Sequence, residues 1–359
     1  MTVLAAPASE VRSRSVSAFE FWPGWLFYLP VVVFWILMGL RYRGFTLPTA
    51  ANPRVETGGL CGECKSTILD QVGPEASSWI APYAVLRTGI DDLARATKAM
   101  EDAGLSMPVV VKPNIGCNGT GVRLVDTSDA LEAALALYPR DVELVLQELV
   151  TYDGEAGIFY VREPGATSGR ITSLTLKQAP IIVGDGQTSI RNLILEDERS
   201  KRIPDIYLPR LADRLDEVLK PGERLRLVFA GNHCKGSIFS DGSHDITRAL
   251  TARIDQIMQA IPDFHFGRLD VRFESAAALR AGERFRIIEI NGVGSEATHI
   301  WDPRTSLRAA YRDQFSHYRS AFEIGAEMRR RGAKPTPVLE LLAFWRLQRR
   351  LMASYPLND

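Results

Sequence analysis

Two stretches in the last third of the chain carry acids where strands ordinarily carry apolar side chains. "FGRLDVRFES" holds Asp270 between Leu269 and Val271, and "FRIIEINGVGSEATHIWDP" sets Glu289 and Asn291 in an isoleucine run. Side chains alternate along a strand. Arg268, Asp270 and Arg272 therefore share one face, Leu269, Val271 and Phe273 the other, and Glu289 points the same way as Asn291. A carboxylate in such a place is costly to bury without a positive partner. If the two strands pair through a turn near "RAGER", one face presents two carboxylates and an amide beside an arginine. Salt bridges would satisfy these acids, Asp270 with Arg268 for example. A divalent cation accounts for Asn291 as well, because its carbonyl ligates without adding charge. Oxygen donors of this kind suit Mg²⁺ held jointly with nucleotide phosphates and waters.

A second constellation is the loop "GCNGTG", with Gly116, Gly119 and Gly121, which follows "VVVKP" and precedes "VRLV". A dinucleotide fingerprint needs a helix directly after its glycines. Here a strand follows, so the loop joins two strands of a hairpin, and no Walker sequence is present. Bare N–H groups still fold over phosphates, with Lys112 as a nearby positive charge; an ordinary glycine-rich turn is the plainer alternative. Candidate substrate-facing groups lie in "AGNHCKGS" (Asn232, His233, Lys235) and in "SEATHIWDP" (Glu296, His299, Asp302). Cys61 and Cys64 form a CxxC without a second pair or a neighbouring histidine, which reads as structural rather than as a zinc or redox site.

The elements that must position these groups alternate along the chain. A helix is expected from Lys65, a strand in "WIAPYAVLR", a helix in "DDLARATKAMEDAG" stopped by Gly104, and a helix opened by Ser128 or Asp129. "VELVLQELV" and "GEAGIFYVRE" read as strands, and "TLKQAPIIVGDGQTSIRNLI" as strand, tight turn and helix. The class is α+β. With 359 residues and 46% hydrophobic content the chain buries a substantial core, and 43 basic against 43 acidic residues exclude a general nucleic-acid footprint. Few cysteines for this length fit a reducing compartment.

Both ends differ from the middle. Residues 21–40, "FWPGWLFYLPVVVFWILMGL", carry no charge and are long enough to span hydrocarbon as a helix. Trp22, Trp25, Tyr28 and Trp35 suit interfacial depth, and Arg41 and Arg43 close the run. Pro23 and Pro30 allow a hairpin dipping into one leaflet; packing on the chain's own body is the alternative. The expected organisation is a tail and anchor over 1–45, a linker over 46–57, a catalytic unit over 58–325 and a basic amphipathic helix over 326–359. That last helix, with Arg346, Arg349 and Arg350, suits a membrane surface or its own domain equally.

Taken in order, these motifs resemble the ATP-grasp superfamily, in particular D-alanine–D-alanine ligases, glutathione synthetases and cyanophycin synthetase. The resemblance covers roughly residues 58–325 and implies an ATP-grasp fold in which two α/β subdomains clasp ATP. It implies that Asp270, Glu289 and Asn291 hold Mg²⁺ (two ions, with Mn²⁺ an alternative) and that Arg268 faces the reacting centre. "VVVKP…GCNGTGV" is similar to the nucleotide-binding strand and phosphate-covering loop, which makes Lys112 an ATP ligand. "LQELV…GE" resembles the adenine hinge and ribose contact, implying Glu148 and Val150 at the base and Glu155 at the sugar. Lys65 takes the place of the first nucleotide lysine, and Lys177 that of a phosphate contact. The implied activity is ATP- and Mg²⁺-dependent carboxylate–amine ligation through an acyl phosphate. A kinase acting on a hydroxyl and a non-catalytic tethered nucleotide-binding protein are the alternatives. Ligases of this type carry an α/β domain ahead of the ATP-grasp region, where this sequence has the apolar run and a linker. D-alanine is therefore not the expected substrate, and a small-molecule or lipid-linked carboxylate and amine are. The expected location is the membrane, with the ATP-binding part in the cytoplasm.

Overall fold

The computed structural model describes residues 16–17, 19–229 and 236–357. Two antiparallel sheets organise the chain. The smaller contains β1 (Tyr83–Arg87), β2 (Val109–Pro113), β3 (Arg123–Val125) and β4 (Glu143–Glu148), in the order β1-β4-β2-β3. β5 (Gly154–Val161) and β6 (Arg170–Gln178) begin the larger. A two-stranded ribbon of β7 (Ile181–Val183) and β8 (Arg224–Arg226) then intervenes. The larger sheet is completed by β9 (Ile238–Asp241), β10 (Phe266–Phe273) and β11 (Phe285–Asn291), in the order β11-β10-β5-β6-β9.

Each sheet has its own core. Val109, Val111, Leu144 and Leu146 of the smaller sheet pack on Ala96 and Met100 of helix Asp92–Asp102 and on Leu131 and Leu135 of helix Ser128–Leu135. Ile158, Leu174, Leu269 and Val271 of the larger sheet pack on Leu250, Ile254 and Ile257 of helix Arg248–Gln259. The expected helices, strands and hairpin appear near the expected positions, with Gly104 at φ +66° directly after the Ala103 cap. The connection from β10 to β11 is not a tight turn. The Ser275 hydroxyl caps Ala278 N–H, an alanine-rich helix Ala276–Ala281 follows, and Gly282 at φ +70° ends it.

Two backbone devices fix where the site strands end. Asn52, fully buried, accepts from the N–H groups of His265 and Phe266 and donates to the carbonyls of Phe266 and Gly58. It thereby ties the start of β10 to the loop before Lys65. That loop in turn meets the end of β11 backbone to backbone: Val293 N–H donates to Gly58 O at 3.1 Å, and a Cβ on Gly59 would lie 2.5 Å from Gly292 Cα. Only glycine at both positions permits this approach.

The apolar N-terminal run is one continuous helix, Gly24–Arg41, with Pro30 inside it. The hairpin option is thus not what forms. One stripe of the helix lies on the long helix Leu307–Arg330: Phe27 stacks on Tyr311, Phe34 stacks on Phe315, and Trp35 meets Tyr318 and Phe322 edge-on. The other stripe is exposed. It is the one helix among the described residues long and apolar enough to cross a membrane, with 22% of its span buried. The C-terminal helix, Val338–Ser354, buries no residue fully and docks on its own body through Gln348 Oε1, which accepts from Gly62 N–H at 2.6 Å.

Candidate active site

Between the sheets lies a cavity of about 820 Å³ whose wall includes β2, the glycine loop, β4, β10 and β11. The pairing of β10 with β11 sets its chemistry. Arg268 sits opposite Asn291, and Asp270 opposite Glu289, so all four side chains share one face. The register then shifts, with Val271 opposite Ile287, leaving Ile288 as an extra residue. Its freed carbonyl accepts from Lys112 Nζ at 2.8 Å, and Gln147 Oε1 of β4 accepts from the same ammonium at 2.8 Å. One lysine therefore bridges the two sheets across the cleft.

The remaining cations surround the acids. Arg268 binds Asp270 with two parallel bonds, Nε to Oδ1 and Nη2 to Oδ2, both 3.0 Å. Lys177 Nζ donates to Asp270 Oδ1 at 2.9 Å and lies 3.4 Å from Glu155. Arg272 lies 3.5 Å from the same glutamate. Lys65 Nζ is 3.1 Å from Glu289 and donates to Gly116 O at 2.7 Å, joining the acidic strand to the glycine loop. Its placement is local in origin. Asn114, just past β2, accepts from Ser66 N–H through its side chain and from Lys65 N–H through its carbonyl, fixing the first turn of helix Lys65–Leu69.

Charge states follow from this packing. Burial works against the Asp270 carboxylate, but Arg268 and Lys177 outweigh it and hold its pKa at about 2. Burial likewise opposes ionised Glu289, and Lys65 and Lys112 outweigh it to bring its pKa below the ordinary value. For Lys65, Glu289 and Glu63 overcome burial and raise the pKa. Lys112 goes the other way: burial dominates and brings it down to about 8. Asp270 and Glu289 are thus ionised and the cleft holds a concentrated set of opposed charges, an arrangement suited to an anion and a cation arriving together.

Whether these groups fit a divalent ion turns on Asn291. Its Nδ2 is buried without a hydrogen-bond partner; that group is a donor suited to a phosphate oxygen, which leaves the amide carbonyl to face a cation. Two carboxylates and an amide carbonyl make three hard oxygen donors, and no cluster of three His, Cys, Asp or Glu ligands exists among the described residues. The set fits Mg²⁺ that takes its other ligands from phosphates and water rather than a closed protein cage.

The sequence-derived candidates separate under this geometry. Lys65, Lys112, Gly116, Gly119, Glu148, Val150, Glu155, Lys177, Arg268, Asp270, Glu289, Asn291 and Glu296 all line the one cleft. Gly121 sits behind the loop at φ +68°, where a Cβ would meet Pro113 at 3.0 Å and Tyr355 at 3.2 Å. His299 and Asp302 do not line the cleft. Ser173 and Asp313 hold the two ring nitrogens of His299 at 2.7 and 3.1 Å, and Asp302 is a loop pin for Arg304 and Asp241 N–H. These two are corrected to structural roles, because hydrogen-bond partners brought near by the fold already occupy their polar atoms. Glu296 is in the cleft but its carboxylate accepts from Tyr28, Trp301 and Gln314. Burial raises its pKa, outweighing those three bonds and the Arg268 charge. Asn232, His233 and Lys235 lie outside the described residues. Cys61 and Cys64 are free, and burial pushes both thiols up to about 11.

Several cleft residues were given no role in the site from sequence. Glu63 and Gln147 are there, Tyr318 and Gln348 come from the last two helices, and Glu20, Phe21, Trp22, Phe27 and Tyr28 come from the apolar N-terminal segment. Only Glu63, two residues before Lys65, carried a signal legible beforehand.

No family model and no curated protein matches this chain. Solved structures do show similarity. VanG D-Ala:D-Ser ligase from Enterococcus faecalis aligns over 74% of this chain and 64% of its own, at 15% identity and TM-score 0.40. The D-alanine-D-alanine ligase from Coxiella burnetii aligns over 80% and 61%, at 11% identity and TM-score 0.41. A bifunctional glutathione synthetase from Pasteurella multocida aligns over 70% of this chain at 15% identity and TM-score 0.38, and this chain spans 36% of it. These are the enzyme groups that the motifs resemble. At such TM-scores the likeness carries no argument of its own, and function has to be read from the cleft.

Proposed function

We propose that the chain is an ATP-grasp ligase that joins a carboxylate to an amine at the expense of ATP. The observation that carries this reading is the cross-strand quartet Arg268/Asn291 and Asp270/Glu289, facing Lys65, Lys112 and Lys177 in one cleft. Lys112 and Lys65 bind and orient the triphosphate, and Glu148, Val150 and Glu155 receive base and sugar. Asp270, Glu289 and Asn291 would hold Mg²⁺, which neutralises charge on the transferred phosphoryl group when bound. Transfer of the γ-phosphoryl group to the substrate carboxylate releases ADP and gives an acyl phosphate. The neutral amine nitrogen then attacks its carbonyl carbon, phosphate leaves, and the proton lost by the amine passes to that phosphate or to water. Arg268 stabilises the tetrahedral oxyanion, and the glycine loop covers the site so that water does not consume the acyl phosphate. The catalytic unit spans 58–325 and works on the cytoplasmic side, where ATP is available, with residues 21–40 attaching it to the membrane.

Hydroxylamine as surrogate amine, Mg-ATP and a fractionated cell extract test this, with Asp270→Asn protein as control. A hydroxamate formed only by the unaltered protein is the expected product. A phosphorylated product without hydroxamate would replace the ligase with a kinase. ATP binding with neither product would leave a non-catalytic nucleotide-binding protein.

A further inference from the structure

The cleft has a second end that the ATP chemistry does not use. Beyond Arg268 its wall is aromatic: Phe21, Trp22, Phe27, Tyr28, Phe239 and Trp301. The polar groups there are already committed. Glu20 and Arg199 form a buried ion pair, with side chains 1% and 5% exposed. Glu296 is held by Tyr28, Trp301 and Gln314, and Arg268 Nη1 donates to its backbone carbonyl at 3.3 Å. Among the described residues this chamber offers a substrate mostly apolar surface.

The helix carrying two of those aromatics, Phe27 and Tyr28, has two faces. Phe27, Val31, Phe34, Trp35 and Met38 recur at helical spacing toward the body. Trp25, Leu29, Val33, Ile36, Leu37 and Leu40 form the opposite stripe, from 45% exposed at Ile36 to 72% at Trp25. Eighteen residues make it about 27 Å long. Exposed Arg41 and Arg43 close it, and Arg329 joins them by donating to the carbonyls of Tyr42 and Arg43. An apolar stripe with a cationic end complements the acyl boundary of an anionic leaflet.

We propose that the aromatic chamber binds the hydrocarbon part of an amphiphilic substrate, a long-chain carboxylate or amine, drawn from a lipid leaflet on which the Gly24–Arg41 helix lies. This deepens the ligase reading and rests on it only in calling the bound molecule a substrate. The polar head of such a molecule reaches Arg268, while its chain stays beside the helix that touches the bilayer. Burial of successive methylenes supplies the affinity.

Two measurements on the full chain test the proposal. In a fluorinated surfactant, calorimetry with carboxylates and amines from butyl to dodecyl should show affinity rising about threefold to fourfold per added methylene until the chamber fills. Trp22→Ala should flatten that slope while ATP affinity stays the same. A flat series in the unaltered protein overturns the proposal, whatever ATP does. A clear slope without ATP consumption on any of these compounds would uphold the chamber and sink the ligase reading instead. In flotation, the protein should rise with phosphatidylcholine vesicles containing phosphatidylglycerol, and a Leu29→Glu/Leu37→Glu double variant should stay behind. An unaltered protein that remains at the bottom as a dimer overturns the membrane source in favour of a helix-to-helix contact.

Discussion

The two ends of the cleft are built on opposite principles. At the charged end, side chains from separate strands meet in ion pairs: Asp270 with Arg268 and Lys177, Glu289 with Lys65. Every group there is expensive to bury alone, so each is held by a partner that an incoming phosphate or metal can replace. At the aromatic end, Phe19, Phe27, Trp301 and Tyr311 pack ring on ring, with centroids 4.7–5.8 Å apart. That end owes its form to area removed from water and has little to exchange. The contrast teaches that the charged end is poised for ligands while the aromatic end is a fixed mould. Substitutions at the first should alter turnover, and at the second they should alter substrate affinity and stability.

The sharpest way to break this comparison is Asp270→Asn or Glu289→Gln. Either should lower ATP-driven phosphate release by about 10³-fold or more. A rate unchanged in either variant, in protein shown to be folded by its Tm, would remove the metal assignment.

Lys112 gives a pH test. Its pKa of about 8 means the ammonium is lost above that value, so kcat/KM for ATP, which reports the free enzyme, should fall about tenfold per pH unit beyond it. Lys112→Met should be low throughout and lack the inflection. Stability runs in the opposite sense. Between about 8 and the ordinary 10.5 the unfolded chain binds the additional proton, so this lysine's term favours the folded state increasingly as pH rises.

Gly292→Ala should cost about 1–3 kcal/mol in denaturant unfolding, because its Cβ would lie 2.3 Å from Gly58 O and force the backbone contact apart. The smallest effect should come from Tyr28→Phe, which deletes one of three bonds to Glu296. A loss of about 1 kcal/mol in stability is expected. Nucleotide affinity should be unchanged, since Tyr28 belongs to the aromatic end; a large loss of ATP binding would show that the two ends are not separable.

Much of the charged end was legible beforehand for a simple reason. Alternation along a strand places Asp270 with Arg268, and Glu289 with Asn291, whatever the rest of the chain does. The glycine loop was legible as a hairpin because "VRLV" cannot open a helix where β-branched residues resume a strand. His299 and Asp302 misled because residue type announces chemistry but not partners. Ser173, Asp313, Arg304 and the Asp241 amide, which saturate them, are near in space and mostly remote in sequence. The apolar run was read as an anchor from its length without charge, its interfacial aromatics and its closing arginines, with packing on the body as the alternative. None of these distinguishes a stripe facing lipid from a stripe facing Tyr311, Phe315 and Phe322.

The sequence by itself determined the elements, the strand faces and the local caps, since these depend on neighbours within a few positions. Tertiary structure alone decided that Ile288 bulges to receive Lys112, that Lys65 reaches Glu289, and that an apolar N-terminal helix walls the cleft. Those contacts join residues up to 268 positions apart, as Tyr28 and Glu296 show. Pairings at that distance are fixed by how two sheets and a helix pack together, and no local rule of spacing contains that information.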